Sequence, residues 1–260
     1  MTHVGPRPEG GAERRELILS TLQSVSFLPI AELARELAVS QMTIRRDLHA
    51  LEDAGKVRMF HGGAALAPGC APHSAFPDDH EAAADQRIGV FAAGLVDDGD
   101  TVVIDAGPTA YALARALPDD FSGCVITNSM PVLQFFDERG TARTLALGGE
   151  LLPDRHAFIG PTTEAMVAGL RARTYFLAPP AIDARGLYAR SAAEASLQRK
   201  LLDIADRVVV LATRQAFSSS APAKVAPLDR LTAVVTDEGP PADVAVVLRR
   251  LGVIPHIVRA

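Results

Sequence analysis

The chain has 260 residues, enough for a small domain plus one of ordinary size. Apolar residues make up 48% and aromatic ones 5%, with no tryptophan, which excludes a disordered chain and fits an alanine- and valine-rich α/β composition. A net charge of −5 excludes a uniformly basic nucleic-acid binder, so any such contact must rest on where the charges sit. Cys70 and Cys124 are too few for a disulfide scaffold and are not spaced as a metal knuckle. No metal or cofactor is expected. No apolar run approaches the ~18 residues that span a bilayer. Residues 1–11 are polar with Pro and Gly, unlike a secretory leader, so a cytoplasmic protein is expected.

In chain order, helix one is predicted over 12–25, with Leu17, Ile18, Leu22 and Val25 as its buried stripe. A second helix follows over 29–37, with Pro29 in its first turn and Ile30, Leu33, Ala34 and Leu37 facing inward. Ala38, Val39 and Ser40 make a tight turn. Ser40 suits the N-cap of a third helix, in which Ile44, Leu48 and Leu51 share a face at i, i+4, i+7. Met42, Arg46 and His49 then lie opposite, with Thr43 and Arg45 on the flanks. This is the layout of a helix-turn-helix whose last helix enters a major groove. Gly55 should stop that helix. Lys56 to Phe60 alternates like a strand and runs into His61-Gly62-Gly63-Ala64, a plausible wing. The candidate DNA-contacting residues are Ser40, Gln41, Met42, Thr43, Arg45, Arg46, His49, Lys56, Arg58 and His61. Residues 1–65 carry eight basic and eight acidic residues, so placement and not net charge must attract DNA.

Pro68, Gly69, Pro72, Ser74 and Pro77 break any period over 66–80, which reads as a proline-stiffened linker between a DNA-binding domain at 12–65 and a larger domain at 81–260. A helix over 81–96 opens the second domain. Short apolar strands are expected at 101–106, 124–127, 144–147, 175–178, 208–212, 233–236 and 254–258. Helices are expected between them at 109–117, 131–136, 162–170, 192–206 and 241–250. That alternation predicts an α/β fold with a mostly parallel sheet covered on both faces. Ligands bind such sheets at the carboxyl ends of strands. Three strand-to-helix loops fit: Asp105-Ala106-Gly107-Pro108-Thr109, Thr127-Asn128-Ser129, and Gly148-Gly149-Glu150 followed by Phe158-Ile159-Gly160-Pro161.

Ser-x-x-Thr-Ile-Arg-Arg-Asp-Leu at Ser40 to Leu48, with His61-Gly62-Gly63-Ala64 downstream, resembles the N-terminal domain of DeoR/GlpR-type bacterial transcriptional regulators. The resemblance implies a winged helix-turn-helix that binds double-stranded operator DNA, and a sensor domain related in fold to sugar-phosphate isomerases. It also implies a small effector, typically a phosphorylated sugar. Carried over by residue, the effector positions are Asp105, Gly107, Thr109, Asn128, Gly148, Gly149, Asp183 and Glu194. Six positions depart from the family pattern. Pro108 replaces a hydroxyl residue, Ala181 replaces the glycine of a Gly-Ile-Asp motif, Gln198 stands where lysine is common, and Thr213, Ala216 and Ser218 replace the aspartate, lysine and glycine of an Asp-x-x-Lys-Phe-Gly motif. Without that lysine, Arg214 and Lys224 are the nearest cations in sequence.

The expected function is a homo-oligomeric transcriptional regulator, a repressor of carbohydrate-metabolism genes released by its effector. Two rivals stand beside it. One is a regulator whose ligand site is vestigial and serves oligomerisation. The other is an isomerase-like enzyme with Asp105, Asp183 and Glu194 as candidate bases.

Overall fold

The computed structural model describes residues 10–24, 28–37, 39–54, 56–60, 62–66 and 79–259. The chain divides into two compact units, Met1–Ala75 and Phe76–Ala260. The first is built from α1 (Gly11–Ser24), β1 (Leu28–Pro29), α2 (Ile30–Glu36), α3 (Gln41–Asp53), β2 (Val57–Phe60) and β3 (Gly63–Leu66). Ile18, Leu22, Leu33, Ile44, Leu48 and Leu51 meet in its core. Leu17 was expected in that stripe, but it is 39% exposed, because one residue's turn from Ile18 swings it off the inner face. Pro29 lies outside α2. It has extended backbone, caps the helix, and pairs with Gly63 as part of β1. Val25, Gly55, His61 and most of the expected linker lie outside the described residues.

One strong charge contact holds α3 from below. Asp47 is buried and accepts from Arg14 Nε at 2.6 Å, with Arg15 Nη1 at 3.5 Å. It sits three residues after Ile44, on the inner flank of the helix, so α1 and α3 are joined by charge as well as by packing. Asp47→Ala should shift the denaturant transition of this unit by about 3 kcal/mol, the usual result of stripping one partner from a buried pair. A loss below about 0.5 kcal/mol would class the contact with ordinary surface bridges.

In the second unit α4 (Asp79–Ala93) comes first. Then come β4 (Thr101–Ile104), α5 (Pro108–Ala116), β5 (Cys124–Thr127), α6 (Met130–Arg139) and β6 (Arg143–Ala146). A hairpin of β7 (Glu150–Leu152) and β8 (Ala157–Ile159) follows, then α7 (Pro161–Val167) and β9 (Ala172–Leu177). The chain continues through β10 (Ala181–Asp183), β11 (Gly186–Ala189), α8 (Ala192–Ile204), β12 (Ala205–Ala212), α9 (Arg214–Ser218) and β13 (Ala223–Ala226). It ends with β14 (Ala233–Thr236), α10 (Ala242–Arg250) and β15 (Ile254–Ile257).

Seven strands form one parallel sheet in the order β15-β14-β12-β9-β4-β5-β6. Val103, Ile126, Leu177 and Val210 feed the core on one face, and Val102, Ile104, Val125, Val209 and Val235 the core on the other. Burial on both faces is why these strands read as unbroken Val/Ile runs. From β4 the chain steps outward through β5 to β6, then returns to the far side of β4 as β9 and steps outward again. The direction of winding therefore reverses between β4 and β9.

The sequence reading missed β7, β8, β10, β11 and β13. These are short pieces, and β10, β11 and β13 form a small antiparallel sheet of their own. It also ran α8 on to residue 206, whereas the chain turns into β12 at Ala205. Against α5, α4 presents Gly89, where a Cβ would lie 2.5 Å from the Ala112 carbonyl carbon, so only glycine allows the two helices to approach so closely. Among the described residues, no helix is long and apolar enough to cross a membrane.

Candidate functional site

In the first unit the candidate surface is the outer side of α3. Ser40 Oγ accepts from Thr43 N at 3.1 Å, which fixes the helix start. The Ser40 and Thr43 hydroxyls also lie 2.9 Å apart, so one of them donates to the other. Beyond the cap, Gln41, Met42, Arg45, Arg46 and His49 are exposed, Met42 at 70%. The Arg45 and Arg46 guanidiniums have no ion pair among the described residues, whereas His49 lies 3.5 Å from Glu52. Inverted below them are Ile44, Asp47, Leu48 and Leu51, all buried.

The wing is present as the β2–β3 hairpin, paired from Val57↔Leu66 to Phe60↔Gly63. Its root is tied to α3 by Met59 N donating to Glu52 Oε1 at 2.9 Å. Lys56 is exposed just ahead of it. The Arg58 side chain and all of His61 lie outside the described residues.

The second unit has its pocket where the winding reverses, at the carboxyl ends of β4 and β9. Asp105 follows β4 and its Oδ2 accepts from Ala178 N, just past β9, at 3.2 Å. The same oxygen accepts from Gln198 Nε2 of α8 at 3.1 Å. Burial raises the Asp105 carboxyl to about 6, against backbone hydrogen bonds from Ala106 and Ala178 and the charge of Arg155, which oppose the rise. Burial, and then the charge of Asp105, push the neighbouring Tyr175 phenol well above its ordinary range. Asn128, after β5, donates from Nδ2 to Phe158 O at 2.8 Å and accepts through its backbone carbonyl from Phe158 N at 2.8 Å, which straps the β7–β8 hairpin beside the pocket. Glu194 lies in the first turn of α8, three residues after the Ser191 cap.

Of the expected effector residues, Asp105, Asn128 and Glu194 line this pocket together. The other five do not. Gly107 caps α5. Thr109 Oγ1 donates to Asp85 of α4 at 2.6 Å and is committed there. Gly148 precedes the hairpin, and Gly149 is held by packing: at φ +156 a Cβ would lie 2.1 Å from Thr163 Oγ1. Asp183 belongs to the β10–β11 turn, where it accepts from Arg185 N, Gly186 N and the Tyr188 hydroxyl and pairs with Arg185. Burial works to raise that carboxyl, but the Arg185 bonds prevail and hold it below the ordinary range.

The two cations nearest in sequence to the missing lysine are also elsewhere. Arg214 pairs with Glu238 at 3.3 Å, and Lys224 lies on β13. Ala216 is buried on α9, which packs against β10, and does not line the pocket. The pocket takes its cation from Arg155, at the tip of the β7–β8 hairpin. Sequence reading passed over this residue because a turn of Pro153, Asp154, Arg155 and His156 shows no period. The one available signal was a cation a few residues after Gly148-Gly149.

A family model described as a DeoR-like helix-turn-helix domain matches residues 14–68, and one described as a DeoR C terminal sensor domain matches residues 80–238. The chain belongs to the DeoR family. Its curated relatives include a putative aga operon transcriptional repressor of Escherichia coli O157:H7, 30% identical over 95% of this chain and 94% of that one. The transcriptional repressor AccR of Agrobacterium fabrum is 31% identical over 87% and 90%. An L-fucose operon activator of Escherichia coli is 28% identical over 87% and 95%. Among solved structures, ribose 5 phosphate isomerase A from Neisseria gonorrhoeae overlaps 51% of this chain and 52% of its own, at 11% identity and a TM-score of 0.37, too distant to support more. As a DeoR-type regulator, the chain pairs a DNA-binding head with an α/β sensor.

Proposed function

We propose that this DeoR-family chain represses carbohydrate-metabolism genes in the cytoplasm and is released from its operator by a small hydroxylated effector. One observation carries the reading: α3 exposes two arginines, unpaired among the described residues, above a buried stripe, on the same chain as a pocket at the reversal point of a parallel sheet. Residues 12–65 serve as the reading head, 66–80 as the connection, and 81–260 as the sensor and the seat of oligomerisation. One such helix contacts only a few bases, so two heads on a paired site are required, and a homo-oligomer follows. Lys56 and the wing hold phosphate, while Arg45 and Arg46 meet base edges. The effector acts by linkage: it binds one sensor conformation better than the other and lowers operator affinity by that difference.

The names of the relatives support a sugar operon as the target, and repressors stand beside activators among them. The isomerase-like alternative is weaker. Asp183, one of its three bases, is saturated by Arg185 and Tyr188 outside the pocket. Mapping the DNA bound by the full chain across its own genome, with transcript levels after deletion, tests the proposal. Paired half-sites ahead of carbohydrate genes whose transcripts rise on deletion are expected. Transcripts that fall would make the chain an activator, and unpaired sites would remove the oligomer.

A further inference from the structure

The outermost strand β15 pairs on one side only. Val258 N donates to Thr236 O, so Ile254, His256 and Val258 turn their backbone groups towards β14, while Pro255 and Ile257 turn theirs outward. Pro255 has no N–H to offer there, so a strand from another chain finds the row broken. Strand addition is blocked, yet the edge is apolar. Leu251, Ile254 and Ile257 are all exposed, Ile254 at 68%. Phe91 of α4 extends the patch, its ring 5.1 Å from that of His256. With Val246 of α10, five of the eleven exposed large hydrophobic side chains among the described residues lie at this edge. Such residues scattered singly need no explanation, but a cluster marks an interaction surface.

The helix beside the edge, α10, carries a second pattern. Val244 and Leu248 face the core. At about 100° per residue Val246 points directly opposite, 44% exposed, with Asp243 and Arg250 within about 60° of it. The outer face thus reads acid, valine, base from end to end. Asp243, Arg249 and Arg250 take part in no ion pair among the described residues. The helix dipole favours an acid in the first turn and bases in the last, which accounts for the signs. It does not account for an exposed valine between them. The stripe is symmetric about a point between Val246 and Val247. Turned end for end against a copy of itself, the helix sets Asp243 against Arg250 twice and valine against valine at the centre. A two-fold contact needs such a pattern, because one patch serves on both sides.

We propose that the α10–β15 edge receives the same edge of a second copy of this chain, with the two α10 helices antiparallel and Asp243 of each paired with Arg250 of the partner subunit. This rests on the homo-oligomer reading above and gives it a surface. Nine residues of helix span about 13 Å, too little to supply the ~800 Å² per partner of a standard interface. Leu251, Ile254 and Ile257 are therefore covered in the same contact. Pro255 confines that contact to side chains and keeps the two sheets from joining.

Sedimentation equilibrium on the full chain tests the assignment. Wild type should be dimeric or larger. Val246→Asp sets two carboxylates at the two-fold and should raise the dissociation constant at least tenfold. Asp243→Arg and Arg250→Asp should each do the same, since each brings like charges together twice. An equimolar mixture of those two variants should recover the wild-type mass, because the mixed dimer opposes an arginine and an aspartate at both positions. All three residues are exposed, so circular dichroism should show every variant folded. Ala146→Arg, on the opposite edge strand β6, should change nothing. Wild-type association in Val246→Asp, or dissociation by Ala146→Arg instead, overturns the assignment and leaves the oligomer standing. Charge variants that separate but do not recover on mixing overturn the antiparallel pairing. A wild-type chain that stays monomeric overturns the oligomer reading, and this inference with it.

Discussion

Arg46→Ala is expected to abolish specific operator binding while leaving the melting temperature of the protein unchanged. Arg46 is exposed on the side of α3 opposite Ile44, Leu48 and Leu51, so truncation removes nothing from the core. A bidentate arginine–base contact contributes about 1–3 kcal/mol. Two heads on a paired site double this to roughly 2–6 kcal/mol, a loss between about thirtyfold and ten-thousandfold. Non-specific affinity should fall much less, because phosphate contacts dominate it. Competition gel shifts with operator and scrambled DNA separate the two. Wild-type discrimination in the variant would remove Arg46 from base reading. Asp47→Ala, one residue on, should act through folding instead, which gives a paired control on adjacent positions of one helix.

Asp105→Asn should make the sensor more stable at neutral pH by about 3 kcal/mol. The carboxyl titrates at about 6 in the folded chain against an ordinary 3.8, because burial disfavours its charge. Folded protein thus holds this proton more tightly than unfolded protein does. The contribution to stability is fully present below pH 3.8, fades as pH rises to about 6, and is absent above that. Two pH units at about 1.4 kcal/mol each give the figure. An amide at the same place still accepts from Ala178 N and Gln198 Nε2, and its own N–H₂ can meet the idle Gln198 Oε1. The check is denaturant unfolding of both proteins from pH 4 to 8. The stability gap should open between pH 4 and 6 and then stay level. A gap independent of pH would mean that Asp105 ionises like an exposed aspartate. The gain in stability should come with a weaker ligand response, since strained polar groups at binding sites are retained at the expense of stability.

What could be read from the sequence followed from local periodicity. Ser40 as a cap and the i, i+4, i+7 spacing of Ile44, Leu48 and Leu51 depend on one helix alone, and the structure reproduces them. Cys124–Thr127 and Ala233–Thr236 coincide with their expected strands because four-residue apolar runs, buried on both faces, end abruptly at polar loops. What could not be read depends on partners far apart in the chain. Asp47 looks like one more surface charge until Arg14, 33 residues earlier, is beside it. Asp105 and Gln198 are 93 residues apart, and only the sheet order brings them together. Arg155 was invisible for a different reason. A tight hairpin tip has no period, so nothing local distinguishes a cation that lines a pocket from one that faces solvent. Thr109 misled in the opposite direction: a hydroxyl at a helix start suits an anion, but Asp85 had already taken it.

The seating of α4 on α5 has a mechanical consequence. With no side chain at Gly89 to act as a spacer and the Asp85–Thr109 bond tying the middle of α4 to the head of α5, sliding of α4 along α5 is opposed and a tilt of one helix carries the other. The loop that leads from Asp105 into α5 therefore works one end of a lever. From Gly89 back to Asp79 the helix runs ten residues, about 15 Å at 1.5 Å per residue. A tilt of about 10° about Gly89 carries its first turn by about 3 Å. That turn is the part of the sensor nearest in sequence to the DNA-reading helices. A rearrangement around the carboxylate that tilted α5 by this much would leave the domain as a displacement the size of a hydrogen bond.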